Sequence, residues 1–278
     1  MLLIRPKKTI ILHKNQRYFR KIMPLITLTT DLGHQDAYVP ILRATLLKVD
    51  LGLRIEDISH QVPKYDSFKA GDLLNQCFRY YPEGSLHLMA VGPEDFSLYP
   101  LAVIMAHGHY FAGTNNGMLS FISQKPDWCV IPEVPEPENI STSFPFAKVF
   151  HYVATHWKQG SLQQCGRSIK EITVKKFLES YTTGNQLVGY VSHIDHFGNA
   201  ITNIRVEQFN EMRQGREYLI EFRSYETDYI NSHYSEVPSG EQAIFFNSQG
   251  FLEIAQNKGN AEKLMGLKRN DKISINFE

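Results

Sequence analysis

Leu25-Ile26-Thr27-Leu28-Thr29-Thr30-Asp31-Leu32-Gly33-His34-Gln35-Asp36-Ala37-Tyr38-Val39 runs from a β-rich stretch through a polar loop into helical spacing. Apolar residues at Val39, Leu42 and Leu46, flanked by Ile41 and Leu47, predict a helix over residues 36–48. Asp31 then stands at the carboxyl end of a strand, where open α/β sheets bind their ligands. Residues 53–58 repeat the pattern as a strand, with a loop ending at Lys64-Tyr65 and a helix over residues 67–80. Residues 86–91 read as a third strand. Two such alternations predict a largely parallel sheet covered by helices.

Further along, residues 101–105 and 110–113 read as a hairpin around His107-Gly108-His109, and Asn115-Asn116-Gly117 is a turn signal. A helix is expected over residues 148–158. Residues 161–186 are polar and weakly patterned, which reads as a connection between domains. Beyond it, strands are expected at 187–194, 201–205, 217–223, 242–246, 251–255 and 272–275, with turns at Gly215, Ser239-Gly240 and Gly250. The expected fold class is α/β, a doubly wound, mostly parallel N-terminal domain (23–160) followed by a smaller antiparallel, barrel-like β domain (187–278).

At 278 residues the chain has ample length for a real core, and 42% hydrophobic with 21% charged residues is ordinary globular composition. The zero formal charge conceals an asymmetry. Residues 1–23 hold seven basic residues and no acid, leaving 22 basic against 29 acidic residues in the rest. An acidic body argues against nucleic acid as the main partner. Residues 1–22 read as a disordered extension ahead of Met23-Pro24. No apolar run approaches the ~20 residues of a membrane span, and no signal-peptide core is present. Cys77, Cys129 and Cys165 are scattered and odd in number, which suits a reducing cytoplasm and offers no zinc spacing.

Two other stretches bear on function. Ser192-His193-Ile194-Asp195-His196-Phe197-Gly198-Asn199-Ala200 puts a carboxylate, an aromatic ring and a carboxamide into one turn between strands. Asn247-Ser248-Gln249-Gly250-Phe251 precedes the last part of the β domain. Phe-Gly-Asn is also ordinary turn chemistry when it stands alone. Taken in order with Thr29–Val39, however, the three stretches resemble the S-adenosyl-L-methionine (SAM) hydroxide adenosyltransferases, relatives of the SAM-dependent fluorinases and chlorinases. The resemblance spans roughly residues 24–278.

What the resemblance implies is a homotrimer with SAM held between one subunit's N-terminal domain and its neighbour's C-terminal domain, without metal or other cofactor. By position, Asp31 matches the aspartate that accepts both ribose hydroxyls, a task suited to a carboxylate. Asp36 and Tyr38 match flanking positions, and Tyr65 falls where relatives place an aromatic ring beside sugar and sulfonium. Asp195 matches the partner of the methionine ammonium, Phe197 the ring beside adenine, and Asn199 the amide that reads adenine by donating and accepting together. Tyr234 matches a stacking position, and Ser248 a residue at the methionine carboxylate. Gln249 stands where fluorinases have arginine.

The expected water-handling set is missing. The family's Asp-Pro-Gly-Val-Gly run, with an arginine seven residues after its aspartate, here reads Val91-Gly92-Pro93-Glu94-Asp95-Phe96-Ser97-Leu98-Tyr99. Gly92 or Val91 replaces the aspartate, and Tyr99 or Leu98 the arginine. Pro145 replaces the histidine of the Phe-His-Gly-Arg-Asp run, and Thr114-Asn115-Asn116-Gly117 stands for Pro-Asp-Asn-Gly. Glu94 and Asp95 are the nearby carboxylates able to substitute as a base. The sulfonium leaves as a neutral thioether and needs no acid. Orienting the nucleophile supplies up to ~7–11 kcal/mol in favourable cases, whereas losing an acid–base group costs ~10²–10⁴-fold. Slow SAM hydrolysis to adenosine and methionine is therefore the leading expectation. A SAM or adenosine binder without turnover, or a halide transferase, would use the same binding residues. The pairs His107/His109 and His193/His196 supply two imidazoles each, too few for a metal site.

Overall fold

A computed structural model describes residues 25–92, 98–135, 144–176 and 178–278. The basic extension at residues 1–22 and the carboxylates Glu94 and Asp95 lie outside the described residues.

The first half is built from β1 (Ile26–Thr30), α1 (Tyr38–Leu47), β2 (Ile55–Ser59), α2 (Ser67–Cys77) with a 3-10 turn at Phe78–Tyr80, β3 (Leu86–Ala90), β4 (Leu101–Ala106), β5 (His109–Thr114), β6 (Trp128–Pro132), α3 (Pro145–Lys158) and β7 (Gly166–Ser168). The strands form one sheet in the order β2-β1-β3-β5-β4-β6-β7. Strands β2, β1, β3 and β5 run parallel, which is the half that the two strand–loop–helix units dictate. The hairpin at His107-Gly108 reverses the chain, so β4, β6 and β7 add antiparallel pairings. One face buries Ile26, Leu28 and Leu88 against Leu42 and Leu46 of α1 and Phe146 and Phe150 of α3. The other packs Met89, Ile104 and Phe111 against Ala70 and Leu74 of α2. Helices thus cover both faces.

Helix α3 begins three residues before the expected start. Pro145 occupies its first turn, where the missing N–H costs nothing and the fixed φ is already helical. Helix α2 is capped by Asp66, whose side chain accepts from Lys69 N at 2.9 Å.

The second half contains β8 (Tyr181–Thr183), β9 (Gln186–Ile194), β10 (Ala200–Arg205), α4 (Val206–Arg213), β11 (Tyr218–Phe222), β12 (Tyr225–Thr227), β13 (Gln242–Phe246), β14 (Phe251–Gln256), α5 (Ala261–Met265) and β15 (Lys272–Phe277). They make an antiparallel sheet in the order β12-β11-β15-β9-β10-β14-β13, with β8 also on β9. Nine-residue β9 is the spine, because its first part pairs with β15 and its second with β10, curling the sheet into a half-barrel. Leu187, Val191, Ile204, Phe209, Ile220, Leu252 and Ile275 fill the interior. The segment between the two sheets gives a short strand to each, β7 and β8.

The halves touch at the start of α2. Arg269 lies 3.5 Å from the centroid of the Phe68 ring and 3.4 Å from Asp66, His193 Nδ1 is 3.3 Å from Asp72, and Lys175 Nζ donates to Ser67 Oγ at 3.3 Å.

A polar chain runs through the core of the first sheet. Thr27 Oγ1 is 2.7 Å from His87 Nδ1, His87 Nε2 is 3.2 Å from His109 Nδ1, and the His87 ring stacks on Phe111. His87 is fully buried, and burial, reinforced by neighbouring His109, pushes its pKa down from 6.5 to about 3. The unfolded chain therefore takes up the proton first. Stability from this neutral imidazole is complete above about pH 6.5 and is lost as pH falls toward 3, at up to ~1.4 kcal/mol per pH unit. Melting temperatures measured from pH 7 to 4.5 are expected to fall more steeply for the parent than for His87→Gln. Parallel slopes would assign the acid sensitivity to other groups.

Candidate ligand-binding site

Three loops that follow parallel strands meet at Asp31. This residue comes directly after β1, which lies between β2 and β3. Its Oδ2 accepts Tyr65 N at 2.8 Å, from the loop after β2, and Gly92 N at 3.5 Å, from the end of β3. Behind it, Thr30 O accepts Val62 N, and Thr30 Oγ1 pairs with buried His60 at 2.8 Å. Tyr65 has φ +64°, a left-handed conformation that costs an L-residue ~1–2 kcal/mol and that the bond to Asp31 helps to hold. Its ring is 71% exposed. Asp36 is exposed in the loop before α1, and Tyr38, in the first turn, packs its ring 5.2 Å from Phe144.

Two of the three unmatched positions border this cluster. Gly92 bonds to Asp31 and has φ +99°, and a β-carbon there would lie 3.3 Å from Asn116 Nδ2. Pro145 opens α3 beside Phe144, the ring that meets Tyr38. Tyr99 is partly exposed, and no described hydrogen bond or ring contact involves its side chain.

The second cluster is the turn from β9 to β10. Asp195 Oδ1 accepts the backbone N–H of Phe197 and of Asn199, each at 2.9 Å, and Oδ2 accepts Asn199 Nδ2 at 3.2 Å. Gly198 is required here, since its φ is +87° and a β-carbon would sit 2.1 Å from the Asn260 side chain, which caps α5. The carboxylate therefore folds the turn that presents Phe197 outward, 71% exposed, with Asn199 buried at its base. Phe197, Asn199 and Tyr234 line one cavity of about 240 Å³, closed by the Gln256–Gly259 turn. Ser248 is exposed in the turn between β13 and β14, next to Asn247.

Sequence reasoning missed Glu253. It sits in β14, 5% exposed, and takes hydrogen bonds from Tyr234 OH at 2.5 Å and Asn247 Nδ2 at 3.2 Å. Burial pushes its carboxyl above the usual range, while these two donors pull it back. The available signal was an acid between Leu252 and Ile254, inside an apolar strand. Lys69 on α2 is also partly buried, its pKa lowered by desolvation against the pull of Asp72, Asp66 and Asp195.

Within the chain, no described hydrogen bond or ring contact joins the Asp31 cluster directly to the Asp195 cluster. A wider cleft of about 800 Å³ beside α4, lined by Arg213, Tyr218 and Tyr229, contains none of the residues flagged from the sequence. Among the described residues, no group of three or more His, Cys, Asp and Glu side chains is arranged to hold a metal.

Two family profiles match this chain: the SAM hydroxide adenosyltransferase N-terminal domain over residues 26–166 and the corresponding C-terminal domain over residues 189–274. The chain is 27% identical over 271 residues to an (R)-S-adenosyl-L-methionine hydrolase of Methanocaldococcus jannaschii, covering 91% of this chain and 96% of that protein. It is 23% identical to a fluorinase of Actinoplanes sp., covering 84% and 91%. A crystal structure of a conserved protein from Thermotoga maritima superposes with a TM-score of 0.80 at 25% identity, covering 90% of this chain and 99% of that one.

Proposed function

This chain belongs to the SAM hydroxide adenosyltransferase family, and from that premise we propose that it binds SAM and cleaves it to adenosine and L-methionine. The observation that carries this reading is the cavity in which Phe197, Asn199 and Tyr234 meet, a purine-sized recess with two aromatic rings and the Asn199 carboxamide in its lining. The Asp31 carboxylate, framed by three loops, is the ribose site. Water attacks C5′, an O–C5′ bond forms as the C5′–S bond breaks, and the bonding pair stays on sulfur as the neutral thioether of methionine. The attacking water loses its proton to solvent, because Gly92 and Pro145 hold no acid–base group and Tyr99 is 42% exposed. Turnover is therefore slow, and orientation of water supplies most of the acceleration.

The active unit in this reading is a homotrimer, with each SAM shared between the Asp31 cluster of one subunit and the Asp195 cluster of the next. Two rings left 71% exposed, Tyr65 and Phe197, support it, since a ligand held between subunits would cover both. We assign the protein to the cytoplasm, a reading supported by three cysteines that stand as free thiols.

Incubation with SAM, with adenosine and methionine followed by chromatography, tests the assignment. SAM binding without adenosine release would make the protein a binder, and a product that depends on added chloride or fluoride would make it a halide transferase. A second expectation concerns the methionine end. Asp195→Asn should weaken SAM by about 10- to 100-fold and adenosine by less, since a charge-assisted bond to the ammonium contributes ~1.5–3 kcal/mol. Equal losses in titration calorimetry would leave Asp195 only the turn-forming role.

A further inference from the structure

We propose that Glu253 is a positioning residue that makes the purine pocket selective for a 6-amino group, an inference that rests on reading the Phe197–Asn199–Tyr234 cavity as the purine site. One hydrogen-bonded chain has its polarity set from two fixed ends. At one end Asn247 Oδ1 accepts the backbone N–H groups of Gln249 and Phe251, at 3.0 and 3.1 Å, so its amide nitrogen must be the atom that faces Glu253. Both Glu253 oxygens then face donors, the environment of an ionised carboxylate, which only accepts. Tyr234 must spend its one hydrogen on Glu253. Its oxygen is left to accept, and the atom 3.2 Å away on Asn199 has to be nitrogen.

The other end gives the same answer. Asp195 Oδ2 accepts from the Asn199 amide at 3.2 Å, and this carboxylate cannot donate. Both amide hydrogens of Asn199 are thus committed, one to Asp195 and one to Tyr234. Against the expectation that Asn199 donates and accepts together, the free group it offers a ligand is its carbonyl oxygen, for which no described hydrogen bond exists. A lone acceptor lining the cavity selects a donor. The exocyclic amine of adenine satisfies it, whereas a 6-oxo purine would set two acceptors against each other. Asp195 orients the Asn199 amide, but the Tyr234 hydroxyl could still rotate to donate into the pocket. Glu253 removes that freedom from a distance, without touching the ligand.

Titration calorimetry of the full chain with adenosine and with inosine tests the proposal, using the parent, Tyr234→Phe and Glu253→Gln. The parent is expected to prefer adenosine by roughly 10- to 100-fold, the range set by leaving one buried polar group unpaired. In both variants the preference should shrink at least about fivefold, because the Tyr234 hydroxyl in Glu253→Gln, or the second Asn199 amide hydrogen in Tyr234→Phe, is then free to donate to a 6-oxo group. General loosening of the pocket would lower both affinities together and leave their ratio intact, so the ratio reports positioning and not mere structure. Tyr234 is 41% exposed, and Tyr234→Phe carries the test if Glu253→Gln fails to fold. A parent that binds both nucleosides equally, or variants that keep the full preference, would overturn the role of Glu253. A parent that binds neither adenosine nor SAM would instead overturn the purine-site assignment, and this inference with it.

Discussion

Asp31→Asn is expected to weaken SAM and adenosine alike, by at least about 100-fold. The two ligands share the ribose, and a carboxylate accepting two hydroxyl protons contributes two charge-assisted bonds of ~1.5–3 kcal/mol each. Asparagine keeps an oxygen for Tyr65 N and Gly92 N, so the three loops should stay assembled and the melting temperature should move little. This separates loss of binding from loss of fold. Calorimetric titration beside a thermal melt reads both. Unchanged affinity in a folded variant would remove Asp31 from the site, and a large fall in melting temperature would recast it as the tie that holds the loops.

Gly92→Asp places a carboxylate where the family resemblance leads one to expect it, and it is expected to produce no rescue of hydrolysis and a measurable loss of stability. Gly92 has φ +99°, outside the range an L-residue occupies comfortably, and its new β-carbon would meet Asn116 Nδ2 at 3.3 Å. Strain of this kind costs ~1–3 kcal/mol, which corresponds to a fall of several degrees in melting temperature. The backbone N–H of the same residue faces Asp31, so the added carboxylate would also crowd a like charge. Alone, without the arginine and histidine absent at Tyr99 and Pro145, it acts outside the unit that relatives use, and members of such units are strongly non-additive. Adenosine release over a long incubation should change by no more than a few-fold. A rise of 100-fold or more would show that one carboxylate suffices. Fast turnover by the parent itself would point to a base outside the unmatched set, with Glu94 and Asp95 the first to substitute.

The sequence carried the sheet-forming pattern well where strands were long and apolar. β3 and β9 lie within a residue of their expected bounds, because Leu88 and Val191 face a core whatever their partners. It was silent on α4, an eight-residue helix in which only Phe209 is buried, and on β7 and β8, three residues each. Order of strands was equally hidden. That β5 and not β4 pairs with β3 depends on which hairpin arm packs between the helices, not on either arm's composition. At the site, Phe197, Asn199 and Tyr234 could be named from motif positions, and the structure brings them together around one cavity. Glu253 could not, because its meaning lies in partners 6 and 19 residues away that only the β13–β14 pairing and the 3-10 turn at Tyr234 deliver.

The turn built on Asp195 has a consequence for how this protein can change over generations. A carboxylate that caps two backbone N–H groups and an amide is answerable to the fold as well as to any ligand, so most substitutions there are removed before their effect on chemistry is felt. Phe197, raised into solvent on that turn and with no described hydrogen bond from its side chain, carries no such double duty. Drift in this lineage should therefore be recorded at exposed rings such as Phe197 and Tyr65 long before it reaches Asp195, and new ligand preferences are most accessible through those rings.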